Sequence, residues 1–152
     1  MKTLILYATK HGGAADIARR IADKMGDATL HNLSADGRCP PPLQNFNNII
    51  LGSSIYAGAI RKELKGFLAK IPSDTKIQGI FLSSFEENDE YFTKNFPTHI
   101  LGNIRVKAFL GGIFDPSKAG GIERTIVKAV MKQTKYTNTI TDEKITQFVK
   151  QL

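Results

Sequence analysis

The chain of 152 residues has the size of one domain, which buries roughly 68–70% of the surface its unfolded form exposes. Hydrophobic residues at 41% and charged residues at 23%, with no low-complexity tract, exclude disorder and fibrous repeats, and the apolar runs 4–7 and 49–51 are far too short to cross a bilayer. Twenty-one Lys and Arg against 14 Asp and Glu leave +7, which favours an anionic partner without choosing among phosphate, carboxylate, nucleic acid and lipid headgroups.

Residues 2–7 form a nearly continuous apolar run, the pattern of a central parallel strand covered on both faces. After the loop Thr9-Lys10-His11-Gly12-Gly13, apolar residues at Ala14, Ile17, Ala18, Ile21, Ala22 and Met25 repeat at helical spacing, and Gly26 is placed to end the helix. Residues 28–33 predict a second strand. The stretch 34–45, with Asp36-Gly37 and Cys39-Pro40-Pro41-Pro42, cannot sustain regular structure and predicts a surface loop.

A third buried strand is predicted over 48–52. The helix after it carries Leu64, Phe67, Leu68 and Ile71 on one face and stops at Pro72. Residues 76–82 and 104–110 supply two more strands, separated by the acidic segment 86–90 and a short helix cut off near Pro97. Thr141 caps a final helix with Asp142 and Glu143 in its first turn and Ile145, Phe148, Val149 and Leu152 on its buried face.

Strands alternating with helices imply an α/β fold with a parallel sheet and a ligand site at the carboxyl ends of its strands. Loops 9–14, 53–60 and 83–91 all emerge at that edge. No linker-like composition shift is visible, which predicts one domain over 1–152. The single Cys39 excludes an internal disulfide, and three scattered histidines give no zinc spacing, so no metal is expected. The amino terminus lacks a signal-peptide pattern, which predicts a cytoplasmic protein.

The loop Thr9-Lys10-His11-Gly12-Gly13-Ala14 runs from a buried strand into a helix, so its N–H groups converge on a point suited to a phosphate, which the two glycines let the backbone approach closely and to which Thr9 offers a hydroxyl and Lys10 and His11 positive charge. Its bland reading is a tight Gly-Gly turn. It matches neither G-x-x-x-x-G-K-[ST] nor G-x-G-x-x-G, so triphosphate and dinucleotide sites lose their main support. A phospho-receiver would need acidic residues where Thr9-Lys10 and Gly52-Ser53 stand. The second loop, Gly52-Ser53-Ser54-Ile55-Tyr56-Ala57-Gly58-Ala59, combines hydroxyls, small residues and one aromatic, which suits a flat ring stacked on one face and hydrogen-bonded at its rim. Tyr56 is the stacking candidate; its bland reading is a plug over the sheet end.

These residues resemble the flavodoxin-like proteins, and the resemblance spans the whole chain. It implies a five-stranded parallel sheet in the order 2-1-3-4-5 with helices on both faces, and flavin mononucleotide (FMN) held noncovalently by three loops. The family's phosphate loop aligns with Thr9 to Ala14, with His11 and Ala14 at two positions where the family has hydroxyls. Gly52-Ser53-Ser54-Ile55-Tyr56 resembles the second loop. The third lies at Ser83-Ser84-Phe85-Glu86-Glu87-Asn88, with Ser84, Phe85, Glu86 and Asn88 as its binding candidates and Phe85 or Tyr91 as its aromatic. Electron transfer then needs no catalytic side chain, since the flavin carries the chemistry.

A minimal flavodoxin turns from its fifth strand directly into its last helix, whereas this chain inserts residues 114–140. Within the insert Ile122, Ile126, Val130 and Met131 form an apolar stripe, and Arg124, Lys128, Lys132 and Lys135 a basic one, suited to a membrane surface or an anionic partner, or equally to a solvated surface helix. Leu110-Gly111-Gly112 and residues 120–128 resemble the menaquinone-linked protoporphyrinogen oxidases built on the flavodoxin fold. That resemblance implies electrons taken from a tetrapyrrole and passed to a quinone, with peripheral contact at the inner face of a membrane. The alternatives are an electron carrier serving a redox partner protein and a binding protein that has lost its flavin. A nucleic-acid role has only the charge behind it.

Overall fold

The computed structural model describes residues 2–37, 39–118 and 135–152. A five-stranded parallel sheet in the order β2-β1-β3-β4-β5 forms the centre, parallel as the alternation of elements implies and ordered as the flavodoxin-like resemblance implies. Its strands are β1 (Thr3–Ala8), β2 (Ala28–Asn32), β3 (Asn48–Ser54), β4 (Ile77–Ser83) and β5 (Val106–Phe109). The helices are α1 (Gly13–Met25), α2 (Lys62–Leu68), α3 (Glu90–Asn95), α4 (Thr98–Leu101) and α5 (Asp142–Lys150). Among the described residues no helix is long and apolar enough to cross a membrane.

The sheet reads as continuous apolar runs because both of its faces are covered. Leu4, Leu6, Ile49, Leu51, Ile80 and Leu82 pack with α2, α3 and α4, through Leu64, Leu68, Phe92 and Ile100. Ile5, Tyr7, Ile50 and Phe81 pack on the other face with α1 and α5, through Ile17, Ile21, Ile145 and Phe148. Each fully buried Leu or Ile here contributes about 2 kcal/mol as an upper estimate. A register shift between Ile49 and Ile50 pairs them with Ile77 and Gly79, so Gln78 is extra in β4 and the alternation of faces skips there.

α1 ends where Gly26, at φ +83, leaves the helix and donates its N–H to the Ala22 carbonyl. β3 runs to Ser54, beyond the expected 48–52, because Ser53 and Ser54 still pair with Leu82 and Ser83 of β4. α2 stops at Leu68, short of Pro72, although Ile71 still packs on the core. Pro97 both ends and begins a helix. It forces Phe96 into extended backbone, and its carbonyl then accepts from the Ile100 and Leu101 N–H groups at 3.1 Å each. Thr141 Oγ1 caps α5 by accepting from the Lys144 N–H at 3.5 Å.

The insert expected over 114–140 leaves and rejoins the fold through an antiparallel ribbon that the periodicity does not foretell. Its strands are β6 (Ile113–Phe114) and β7 (Thr137–Asn138), with Ile113 opposite Asn138 and Phe114 opposite Thr137. Ile122, Arg124, Ile126, Lys128, Val130, Met131 and Lys132 of the expected amphipathic helix lie outside the described residues; Lys135 is described and exposed.

Candidate functional site

Three loops leave the carboxyl ends of β1, β3 and β4 and meet beside the amino end of α1. The first is shaped by its own side chain. Thr9 Oγ1 accepts from the Gly12 N–H at 3.1 Å, and the Thr9 N–H donates to Ser34 Oγ at 3.1 Å, so the hydroxyl expected to face a phosphate also closes its loop. Gly12, at φ +90, occupies the left-handed region and turns the chain into the helix. Gly13 answers a different need: a Cβ there would overlap Ser83 Oγ and stand 3.2 Å from the Ile113 N–H nitrogen, so close helix-to-strand contact requires it. Ala14 is fully buried in the core between α1 and the sheet.

The second loop closes as a two-residue hairpin in which Tyr56 and Ala59 exchange both backbone hydrogen bonds at 3.0 Å. Ala57 at φ +51 and Gly58 at φ +78 are its central residues, the positive-φ pair of a type I′ turn. Asn95 ties this turn to α3. Its amide donates to the carbonyls of Gly58 and Tyr91 at 2.9 and 2.7 Å, and its Oδ1 accepts from the Ile60 N–H at 3.2 Å. Ser53 is fully buried and turned into the scaffold, where its hydroxyl accepts from the Arg61 N–H at 2.9 Å. Lys10 Nζ lies 4.8 Å above the Tyr56 ring, a cation–π contact that joins the first loop to the second.

In the third loop Ser84 Oγ donates to the Glu86 carbonyl at 2.8 Å and accepts from the Glu86 N–H at 3.1 Å. Tyr91 donates its phenol to Glu86 Oε2 at 2.7 Å, and this hydrogen bond to a carboxylate raises the Tyr91 pKa above its ordinary value of 10.0. The acidic segment is largely paired: Glu87 with Lys144 at 2.9 Å and Glu90 with Lys94 at 3.1 Å. These exposed pairs hold geometry more than they stabilise.

Between the loops lies a cleft of about 480 Å³. Of the residues singled out in the sequence, His11, Ser54, Ile55, Tyr56, Ala57, Gly58, Ser84, Phe85, Glu86, Asn88 and Tyr91 line it. Thr9, Lys10, Gly12, Gly13, Ala14 and Ser53 do not. The cleft also takes Ser83, the first residue of the expected third loop, and Lys94, Gly112, Ile113 and Phe114, which sequence reasoning missed. Lys94 follows from helical spacing, one turn after Tyr91 and Glu90. Phe114 carried no signal, because only the pairing of β6 with β7 brings it here. Of the two aromatic candidates in the third loop, Phe85 joins a cluster with Tyr56 and Phe114, whereas the Tyr91 ring packs edge-on against Phe109 with centroids 6.3 Å apart.

This arrangement offers a positive helix terminus at one end and aromatic surface with a hydrogen-bonding rim at the other. Comparison with known proteins bears on the fold that carries it. Several solved structures share the fold at low identity. A flavoprotein of Lactobacillus acidophilus NCFM in complex with FMN is 19% identical, with a TM-score of 0.58 over 71% of this chain and 92% of that one. A flavodoxin of Streptococcus pneumonia TIGR4 is 15% identical, with a TM-score of 0.58 over 100% and 97%. A short-chain flavodoxin associated with a bacterial microcompartment is 16% identical, with a TM-score of 0.59 over 100% and 96%. An uncharacterized protein of Methanocaldococcus jannaschii is 38% identical over 82 residues, a match that spans 53% of each chain. The family model described as flavodoxin domain matches residues 4–141, and the chain therefore belongs to the flavodoxin domain family.

Proposed function

We propose that the chain is a flavodoxin-type redox protein that holds FMN noncovalently at the carboxyl edge of its sheet and passes electrons through it. The observation that carries this reading is the meeting of a helix terminus, opened by left-handed Gly12, with an aromatic-lined cleft. The residues suit both ends of the cofactor. At the amino end of α1 the first-turn N–H groups lack intrahelical acceptors and the helix dipole is positive, which favours a phosphate. Asp16 in that turn is held by Arg19 at 2.6 Å and Arg20 at 2.9 Å, which offsets its repulsion of an anion.

A flat ring is favoured against Tyr56 and Phe85, with Ser54, Ser84 and Asn88 at its rim. The volume of the cleft falls within the range of about 300–1,000 Å³ usual for small-molecule sites. Bound FMN supplies one- and two-electron exchange at its isoalloxazine ring. The chain's own residues bind and orient it, exclude water from one side, and set the local charge. Lys10 beside Tyr56 and Lys94 in the wall favour added negative charge on the ring. Glu86 opposes them, with its carboxylate held by the Tyr91 phenol. The test is a visible spectrum after FMN is added and the excess washed away. Retained bands of perturbed shape are expected, and a colourless protein without measurable affinity would refute the cofactor.

A second reading is an enzyme similar to the menaquinone-dependent protoporphyrinogen oxidases, taking electrons from an anionic tetrapyrrole and delivering them to a quinone at the inner face of a membrane. The excursion between β6 and β7, rooted beside the cleft, and the net charge of +7 favour it over a simple carrier in the cytoplasm that serves a protein partner. Quinone-dependent oxidation of protoporphyrinogen by the FMN-loaded protein tests it; no turnover with the porphyrinogen would leave the carrier.

A further inference from the structure

Phe114 is 3% exposed, yet it belongs to neither of the two cores that sandwich the sheet. It forms a small cluster of its own with Tyr56 of the second loop and Phe85 of the third. Its ring also lies against His11 of the first loop, with centroids 5.3 Å apart and planes tilted by 54°. One side chain from the segment after β5 therefore touches all three loops that frame the cleft.

That segment is hydrogen-bonded on both sides. The Ser84 N–H donates to the Gly111 carbonyl at 3.0 Å, while the Gly112 N–H donates to Thr139 Oγ1 and the Thr139 N–H to the Gly112 carbonyl, both at 2.9 Å. Gly111 sits at φ +89, and a Cβ there would stand 2.6 Å from the Thr139 carbonyl oxygen. The third loop on one side and the β7 segment on the other thus fix where Phe114 presents its ring.

We propose that Phe114 is a positioning residue of the ring site. Packed against Tyr56 and Phe85 in the cleft wall, it holds those two rings in the orientation that stacks on FMN, and through His11 it keeps the first loop in register with them. The inference rests on the flavin reading above. Pre-ordered rings lose less freedom on binding, and a bound flavin held against them is quenched.

The experiment titrates the parent and the Phe114→Ala and Phe114→Leu variants with FMN and records flavin emission and visible circular dichroism at saturation. Phe114→Ala is expected to stay folded, to bind FMN roughly tenfold more weakly, the loss of about two aromatic contacts, and to show brighter, less dichroic bound flavin. Phe114→Leu keeps the apolar volume and guards against misfolding; it is expected to recover part of the affinity but not the full quenching. In the apoprotein the His11 ring proton resonance should move in both variants as the aromatic neighbour is lost. Emission and dichroism of the bound flavin equal to those of the parent, even alongside a lower melting temperature, would overturn the inference and leave Phe114 as packing alone. A parent that binds no FMN would refute the flavin reading and this inference together, and the parent titration separates that outcome from the failure of Phe114 alone.

Discussion

Gly52→Ala is expected to be among the most damaging single-methyl additions in this chain. Gly52 stands in β3 directly opposite Phe81 of β4, and a Cβ at Gly52 would fall inside the Phe81 ring, overlapping Cζ, Cε1 and Cε2. The ring has no room to retreat. Phe81 is fully buried and meets Phe148 edge-on at 6.3 Å and 85°, and Phe148 in turn lies 3.1 Å from where a Gly79 Cβ would be. Two glycines on one face of the sheet thus seat two phenylalanines that join it to α5. Overpacking costs about 1–3 kcal/mol, here at its upper end because a ring must leave its rotamer, and the entropy gained by losing a strand glycine returns about 0.5–1. The net loss of about 2 kcal/mol should lower the melting temperature by about 4–8 °C and the urea midpoint by about 1 M. Phe81→Leu alone should cost about 1–2 kcal/mol, yet Gly52→Ala combined with it should lose at least about 1 kcal/mol less than the sum. Urea unfolding of the four proteins measures this cycle. Strict additivity, or a neutral Gly52→Ala, would refute the packing argument.

Gly12→Asp should weaken FMN more than Gly12→Ala does, because both strain a φ of +90 but only one adds charge at the expected phosphate; equal losses by titration would remove the phosphate from this loop. Tyr56→Ala should reduce FMN affinity by roughly tenfold and alter flavin emission, and an unchanged value of both would make the tyrosine a plug. Ala57→Gly should raise stability by up to about 1 kcal/mol in thermal melts by relieving a left-handed alanine at φ +51, while Ala57→Val should lower it. Tyr7, whose pKa burial raises, and Tyr91, raised by Glu86, both favour the protonated phenol in the fold. Their contribution is therefore full below the unfolded value of 10.0 and lost as pH rises through the higher folded values. Melting temperature against pH, with tyrosinate absorbance, checks this, and a Tyr91→Phe variant should show a shallower alkaline decline.

The order of elements was legible in the sequence because each depends on neighbours close in the chain. The apolar run of β1, the three-to-four spacing of α1 and the stop at Gly26 are local patterns, and the alternation of strand and helix then leaves few ways to build a parallel sheet. The edge that carries the site follows from that topology, which is why residues as far apart as His11, Tyr56 and Asn88 were named together and do line one cleft. The reasons behind individual residues were less legible. Gly13 reads as an approach to an anion but is demanded by Ser83, 70 positions along the chain, and Ser53 reads as a rim hydroxyl but caps the backbone of Arg61. Phe114 is the clearest case. Two residues of β6 carry no periodicity, and their partner β7 comes after the whole excursion, so nothing local marks the ring that packs against Tyr56 and Phe85. Local spacing fixes which faces are apolar; only the closing of distant segments decides which apolar face meets which, since contact energy depends on distance in space and is blind to distance along the chain.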